Sequence, residues 1–173
     1  MEIVKIPLER ISSLIGTNHE AKDEVEKVCN VKLEISQEGE VEISGEVADI
    51  YFAKDVVKAI GRGFGVRDAL RIIKNDCQFY LISLKDYSRN EKGITRLKSR
   101  VIGEEGKVKL EIESATESRL SIYGNTVGII AKIDTMEYAK QAVDMILTGS
   151  THIAVFEYLS KIRRKIIGER LLG

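Results

Sequence analysis

Residues 14–60 and 101–146 of this chain are two versions of one pattern, and that internal repeat limits the fold more than any single motif does. At an offset of 87, Leu14-Ile15-Gly16 lies over Val101-Ile102-Gly103 and Ala21 over Val108. Glu24, Val25 and Glu26 lie over Glu111, Ile112 and Glu113, and Leu33 and Ile35 over Leu120 and Ile122. At an offset of 86, Val41 and Ile43 meet Val127 and Ile129, while Ala53, Val57 and Ile60 meet Ala139, Val143 and Ile146. One indel explains the change of offset. A match that runs through both helix-like and strand-like stretches means that one small supersecondary unit has to fold twice. The 173 residues are therefore expected to make two small domains.

Periodicity supplies the elements of the unit. Residues 2–6 alternate polar and apolar side chains, as a strand does, until Pro7. Residues 8–15 place Leu8, Ile11, Leu14 and Ile15 on one helical face, and residues 20–29 form a second helix with Ala21, Val25 and Val28 inward. Residues 31–35 and 40–44 are alternating strands around the turn Gln37-Glu38-Gly39. Residues 47–60 close the unit as a long amphipathic helix. In the second copy the series is a strand over 77–84, a basic loop over 85–93 and helices over 94–102 and 107–115. Strands over 119–123 and 126–131 follow, joined by Gly124-Asn125. The copy ends in a helix over 134–147 capped by Asp134 or Thr135. Gly61-Arg62-Gly63-Phe64-Gly65 follows a helix instead of a strand, so it reads as a cap and turn, not a dinucleotide loop. Residues 66–74 are expected to form a short linking helix. Residues 151–167 are expected to form an extra helix that turns Ile153, Phe156, Leu159 and Ile162 toward the protein and docks between the copies. The expected class is α+β, with one domain over 1–64 and the other over 65–173.

The chemistry concentrates at Arg100-Val101-Ile102-Gly103-Glu104-Glu105-Gly106-Lys107. Gly-x-x-Gly between two helices makes a turn that side chains would obstruct. It also leaves backbone N–H groups at the start of the following helix free to meet a phosphate. A lone Gly-x-x-Gly is equally a helix end followed by a helix start; the repeat around it gives it weight. In the first copy the same position reads Gly16-Thr17-Asn18-His19, with histidine in place of the second glycine, and the next helix opens on Glu20, Asp23 and Glu24. Acids there suit the helix dipole but repel phosphate. Glu104 and Glu105 do not read as a catalytic carboxylate pair. Adjacent residues point in different directions and no group that would stabilise an electrophile accompanies them.

The formal net charge is zero, but it is unevenly distributed. Residues 1–60 hold seven basic and thirteen acidic residues, a net of −6, so the remaining residues carry +6. Residues 85–100 contribute Lys85, Arg89, Lys92, Arg96, Lys98 and Arg100 against Asp86 and Glu91. Residues 161–170 contribute Lys161, Arg163, Arg164, Lys165 and Arg170 against Glu169. A polyanion is expected to meet the second half only.

Several classes are excluded. No apolar run reaches the roughly 18 residues of a membrane span, and residues 1–9 lack a secretory pattern, so a cytoplasmic location is expected. Cys29 and Cys77 lie in apolar segments and read as small buried groups in a reducing compartment. His19 and His152 have no ligand-spaced partners, so no metal and no cofactor is expected.

The element order resembles the type I KH domain, twice, with an extra C-terminal helix. Four stretches resemble the archaeal KH proteins related to the eukaryotic small-subunit assembly factor called partner of Nob. They are Ala59-Ile60-Gly61-Arg62-Gly63-Phe64, the segment from Arg100 to Lys107, Val127-Gly128-Ile129-Ile130, and His152-Ile153-Ala154-Val155-Phe156-Glu157-Tyr158-Leu159. The resemblance implies binding of single-stranded RNA near the 3′ end of small-subunit rRNA during ribosome assembly, no enzymatic activity, and a Nob-type endonuclease as partner. KH modules clamp nucleotides with the Gly-x-x-Gly loop. The resemblance thus assigns RNA binding to Gly103, Glu104, Glu105, Gly106 and Lys107, flanked by Arg96, Lys98, Arg100, Ile102 and Lys109, with bases resting on Ile102, Ile112 and Leu120. The family usually carries a basic residue where this chain has Glu104 and Glu105, and the first copy lacks the second glycine. A protein-interaction scaffold with weak RNA contact is the alternative that the double-Glu loop favours.

Overall fold

The apolar positions paired by the repeat are the positions that turn inward. In the computed structural model, which describes all of residues 1–173, Leu14, Val25, Val41, Ile43, Ala53, Val57 and Ile60 are wholly buried. Their counterparts Val101, Ile112, Val127, Ile129, Ala139, Val143 and Ile146 are wholly buried too. Each set forms the core of its own unit, Met1–Phe79 and Tyr80–Gly173. Burying one Val, Leu or Ile side chain contributes about 1.5–3 kcal/mol, so these two sets are the main sources of stability.

The first unit runs β1 (Glu2–Lys5), α1 (Ile11–Ile15) after a 3₁₀ turn, α2 (Glu20–Cys29), β2 (Val31–Ile35), β3 (Glu40–Gly45) and α3 (Val47–Gly61). The linking stretch is two short helices, α4 (Val66–Ala69) and α5 (Arg71–Lys74), separated at Leu70 where ψ relaxes to −10°. It lies with the first unit, burying Ala69, Leu70 and Ile72, and Lys74 pairs with Glu24 at 3.4 Å. The unit boundary falls inside β4 (Cys77–Ser83), and the second unit continues through α6 (Glu91–Ile102), α7 (Lys107–Thr116), β5 (Arg119–Tyr123), β6 (Thr126–Lys132), α8 (Ile133–Leu147) and α9 (His152–Leu172). Both sheets place the last strand in the middle, β1-β3-β2 and β4-β6-β5. The register Tyr123↔Thr126 puts Gly124 and Asn125 in the expected two-residue turn.

A glutamate contact repeats along with the core, half-buried at Glu26 and buried at Glu113. Glu26 Oε1 accepts the amide of Leu33 at 2.9 Å, and Glu113 Oε2 accepts that of Leu120 at 3.0 Å. In each copy the glutamate on the second helix thus satisfies a backbone donor of the following strand. An unpaired buried donor would cost about 1–3 kcal/mol.

Three expectations are corrected. Helix α6 begins at Glu91, not Ile94, because the Asn90 side chain caps it by accepting from the Gly93 amide at 2.7 Å. Gly93 leaves room for this turn, since a Cβ there would lie 1.9 Å from Ser88 Oγ and force that side chain to move. Helix α8 begins at Ile133, with no side-chain cap from Asp134 or Thr135. Helix α9 runs to Leu172, is capped by Thr151 accepting from Ala154, and buries Val155, Leu159, Ile162 and Ile166. Ile153 is 72% exposed, so the buried stripe is rotated from the one expected. The helix packs on α7 and α8.

Candidate nucleic-acid interface

The two glycines of the second loop are needed for different reasons. Gly103 has φ 75° and ψ 175°, and a Cβ on it would fall 2.4 Å from the Val108 side chain. Backbone conformation and close packing therefore both exclude any other residue. Gly106 has φ 76° and ψ 12°, but a Cβ there would meet nothing within 4 Å. The second glycine thus leaves open space outside the loop, beside the N-terminus of α7, where backbone can approach a ligand. Glu105, between them, is also left-handed at φ 54° and ψ 25°.

The first loop has the same backbone. Gly16 sits at φ 75° and ψ 177°, with its missing Cβ 2.7 Å from that of Ala21. Asn18 and His19 are left-handed at φ 52° and φ 64°. Histidine in the left-handed region costs roughly 1–2 kcal/mol, and the fold accepts it because only φ, not packing, constrains this position. The first loop therefore differs in what it presents outward: an imidazole in place of open space, followed by the acids of α2.

The structure separates the flanking residues by role. Ile102 is 36% exposed at the end of α6, and Lys98 lies one turn back on the same side. Arg96 is six residues from Ile102, about 120° around the helix, and so points off the loop face. Arg100 faces inward. Its guanidinium donates to the carbonyl of Ile146 at 2.7 Å and to that of Ser150, while the Arg100 carbonyl lies 3.1 Å from His152 Nε2. Ile112 and Leu120 are core residues, 0% and 4% exposed, and are not a surface on which bases rest. Lys107 Nζ lies 5.9 Å from the centre of the Phe156 ring, and Lys109 Nζ is 3.9 Å from Glu113. Glu104 and Glu105 are exposed and line, with Lys107, Leu110 and Ser114, an open hollow of about 580 Å³. Leu110 is 60% exposed there, which its place among inward-pointing neighbours did not announce. In the C-terminal basic cluster Arg163 pairs with Glu111 at 3.1 Å and Arg170 with Glu117 at 2.6 Å. Lys161 and Arg164 are left as exposed cations.

A three-stranded sheet with its last strand central, backed by three helices and carrying Gly-x-x-Gly between the first two, defines the type I KH domain. The model of the eukaryotic-type KH domain (KH-domain type I) matches residues 78–164, and that of the KH domain matches residues 1–59. KH domain-containing protein MJ0443 of Methanocaldococcus jannaschii is 40% identical over 171 residues, which cover 96% of this chain and 75% of that protein. Pre-rRNA-processing protein pno1 of Aspergillus fumigatus is 28% identical over 65% of this chain, a match that spans 46% of the fungal protein. Among solved structures, an a/eIF2alpha–aDim2p–rRNA complex from Pyrococcus horikoshii contains a chain that superposes with a TM-score of 0.87 at 35% identity, covering 95% of this chain and 94% of that one. The chain belongs to the KH-domain family, in the group that joins archaeal proteins of this kind to eukaryotic pno1.

Proposed function

We propose that this protein binds single-stranded ribosomal RNA during assembly of the small ribosomal subunit and catalyses no reaction. The observation that carries this reading is the open space outside Gly106, at the N-terminus of α7 in the half of the chain that carries +6. The pre-rRNA processing in the name of the fungal relative and the rRNA in the Pyrococcus complex support the same reading. The RNA backbone passes Gly103, Glu104, Glu105 and Gly106 on their amide side, so the identity of the two glutamates does not prevent contact. Lys98, Ile102, Lys107 and Lys109 flank the strand. Arg96 adds charge at longer range, and Arg100 supports the surface from behind. The target is the region near the 3′ end of small-subunit rRNA, the partner a Nob-type endonuclease, and the location the cytoplasm. The exposed Leu110 beside Glu104 and Glu105 favours, as a second use of this loop, docking of a protein on its outer side.

In-cell crosslinking of the full chain, followed by sequencing of the attached RNA, tests the proposal. Enrichment of the 3′ region of small-subunit rRNA is expected. A crosslinked population without that enrichment contradicts it.

A further inference from the structure

At the edge of the second sheet opposite β5, strand β4 borders a groove that the RNA-binding surface does not use. Tyr80, Leu81, Ile82 and Ser83 all line one hollow of about 510 Å³. Successive side chains of a strand point to opposite faces, so a cavity that meets four in a row opens on the strand's edge. Glu137, Lys140, Gln141 and Asp144 of α8 form the other wall, a single helical stripe at i, i+3, i+4 and i+7. An edge strand presents unpaired backbone donors and acceptors to whatever lies beside it.

The side chains define what fits. Tyr80, Leu81 and Tyr87 are 42%, 43% and 38% exposed. Asp86, Glu137 and Asp144 face the same hollow against a single cation, Lys140. That cation sits 4.0 Å from the centre of the Tyr80 ring and 3.1 Å from Glu137, so the protein's own lysine marks where ring and carboxylate together hold an ammonium group. The Tyr87 hydroxyl donates to Asp144 at 3.0 Å and fixes the carboxylate beside a second ring. A nucleic acid would bring phosphates against three carboxylates. A cationic side chain finds aromatic faces and negative charge at once.

We propose that this groove receives an extended segment of another protein, laid along the free edge of β4, with an arginine or lysine seated among Tyr80, Tyr87, Asp86 and Asp144. The backbone of the segment pairs with the strand, and its cation supplies the specificity.

The test uses the ¹⁵N-labelled full chain and two capped hexapeptides of alternating valine and arginine or valine and glutamate, followed by amide shifts. The arginine peptide is expected to move residues 80–83 and the 137–144 stripe in a saturable way, and the glutamate peptide to move neither. Asp86→Asn, on an exposed turn, should weaken the arginine peptide about threefold, and Asp86→Asn with Asp144→Asn at least fivefold. Lys140→Ala, which vacates the Tyr80 ring, should strengthen it. Thermal unfolding of each variant checks the fold, and Asp86→Asn alone decides if the double variant is unstable. The proposal is overturned if the arginine peptide leaves residues 80–83 unmoved or the glutamate peptide binds as well. It is also overturned if single-stranded RNA moves those same amides, or if sedimentation shows a dimer that Tyr80→Glu dissociates.

Discussion

The guanidinium of Arg100 donates to the carbonyl of Ile146 at 2.7 Å, tying the second helix-loop unit to the end of α8. The first repeat makes the same junction with Arg10, which reaches the carbonyls of Ile60 and Phe64, both at 2.9 Å. Ile60 and Phe64 are the counterparts of Ile146 and Ser150 at the offset of 86. The arginines are not counterparts: Arg10 aligns with Leu97, and Arg100 with Ser13. The third helix of each repeat, α3 or α8, leaves carbonyls at its end that need donors, and the two copies supply one from positions about a helical turn apart. Arg100→Ala is therefore expected to lower stability by about 2–3 kcal/mol, since charge-assisted bonds are lost and carbonyls left bare. Urea unfolding measures this. RNA affinity per folded molecule should stay within about twofold, whereas a larger loss would make Arg100 a ligand group.

The two loop glycines should respond differently to alanine. Gly103→Ala places a Cβ against Val108 in a backbone region reserved for glycine and is expected to cost several kcal/mol, roughly 1–3 from the backbone alone. Gly106→Ala meets no atom and should cost about 1–2 kcal/mol from its left-handed backbone. Thermal unfolding of both variants checks the order, and equal losses would contradict the packing role assigned to Gly103.

Burial, reinforced by Asp49, pushes the Cys29 thiol from its ordinary 9.0 to about 11. Cys29 should therefore resist a disulfide reagent at pH 8 until the chain is unfolded, while the partly exposed Cys77 reacts first. The unfolded chain releases this proton near pH 9 and the folded chain holds it to about pH 11. The contribution to stability is complete below pH 9 and is lost as pH rises toward 11. Replacing Cys29 with alanine should remove that part of the alkaline loss, as pH-dependent urea midpoints would show.

The repeat made the fold legible, because cores of equal size demand apolar residues at equal spacing. That is why the sequence itself pairs Leu14 with Val101 and Ile60 with Ile146. The loop glycines were legible as well. What stayed hidden was the destination of long polar side chains. Arg100, Arg163 and Arg170 count as free charge in a sequence, yet each has a partner distant in the chain. Ile112 and Leu120 carry no mark that distinguishes a base-contacting residue from a core residue. Along α9 the sequence marks Leu159 and Ile162, which are buried, and Phe156, which packs partly against the core, but not the choice of Val155 over the equally apolar Ile153, which only packing on α7 and α8 makes. The Asn90 cap was available as a signal, an asparagine ahead of a helix, but the glycine at position 93 masked it.

Paired titrations of one single-stranded RNA, carrying the 3′-terminal sequence of small-subunit rRNA, into the full chain, Gly106→Asp and His19→Asp test the assignment of RNA to the second loop. With about four phosphates neutralised, log K for the unaltered chain should fall against log salt with a slope of roughly −3. Gly106→Asp fills the open space with a side chain and a negative charge, and should weaken binding at least tenfold and flatten that slope. His19→Asp makes the matching change in the first loop and should leave both within about twofold. Loss of affinity in His19→Asp, with Gly106→Asp unaffected, would contradict the account and move the RNA to the first repeat.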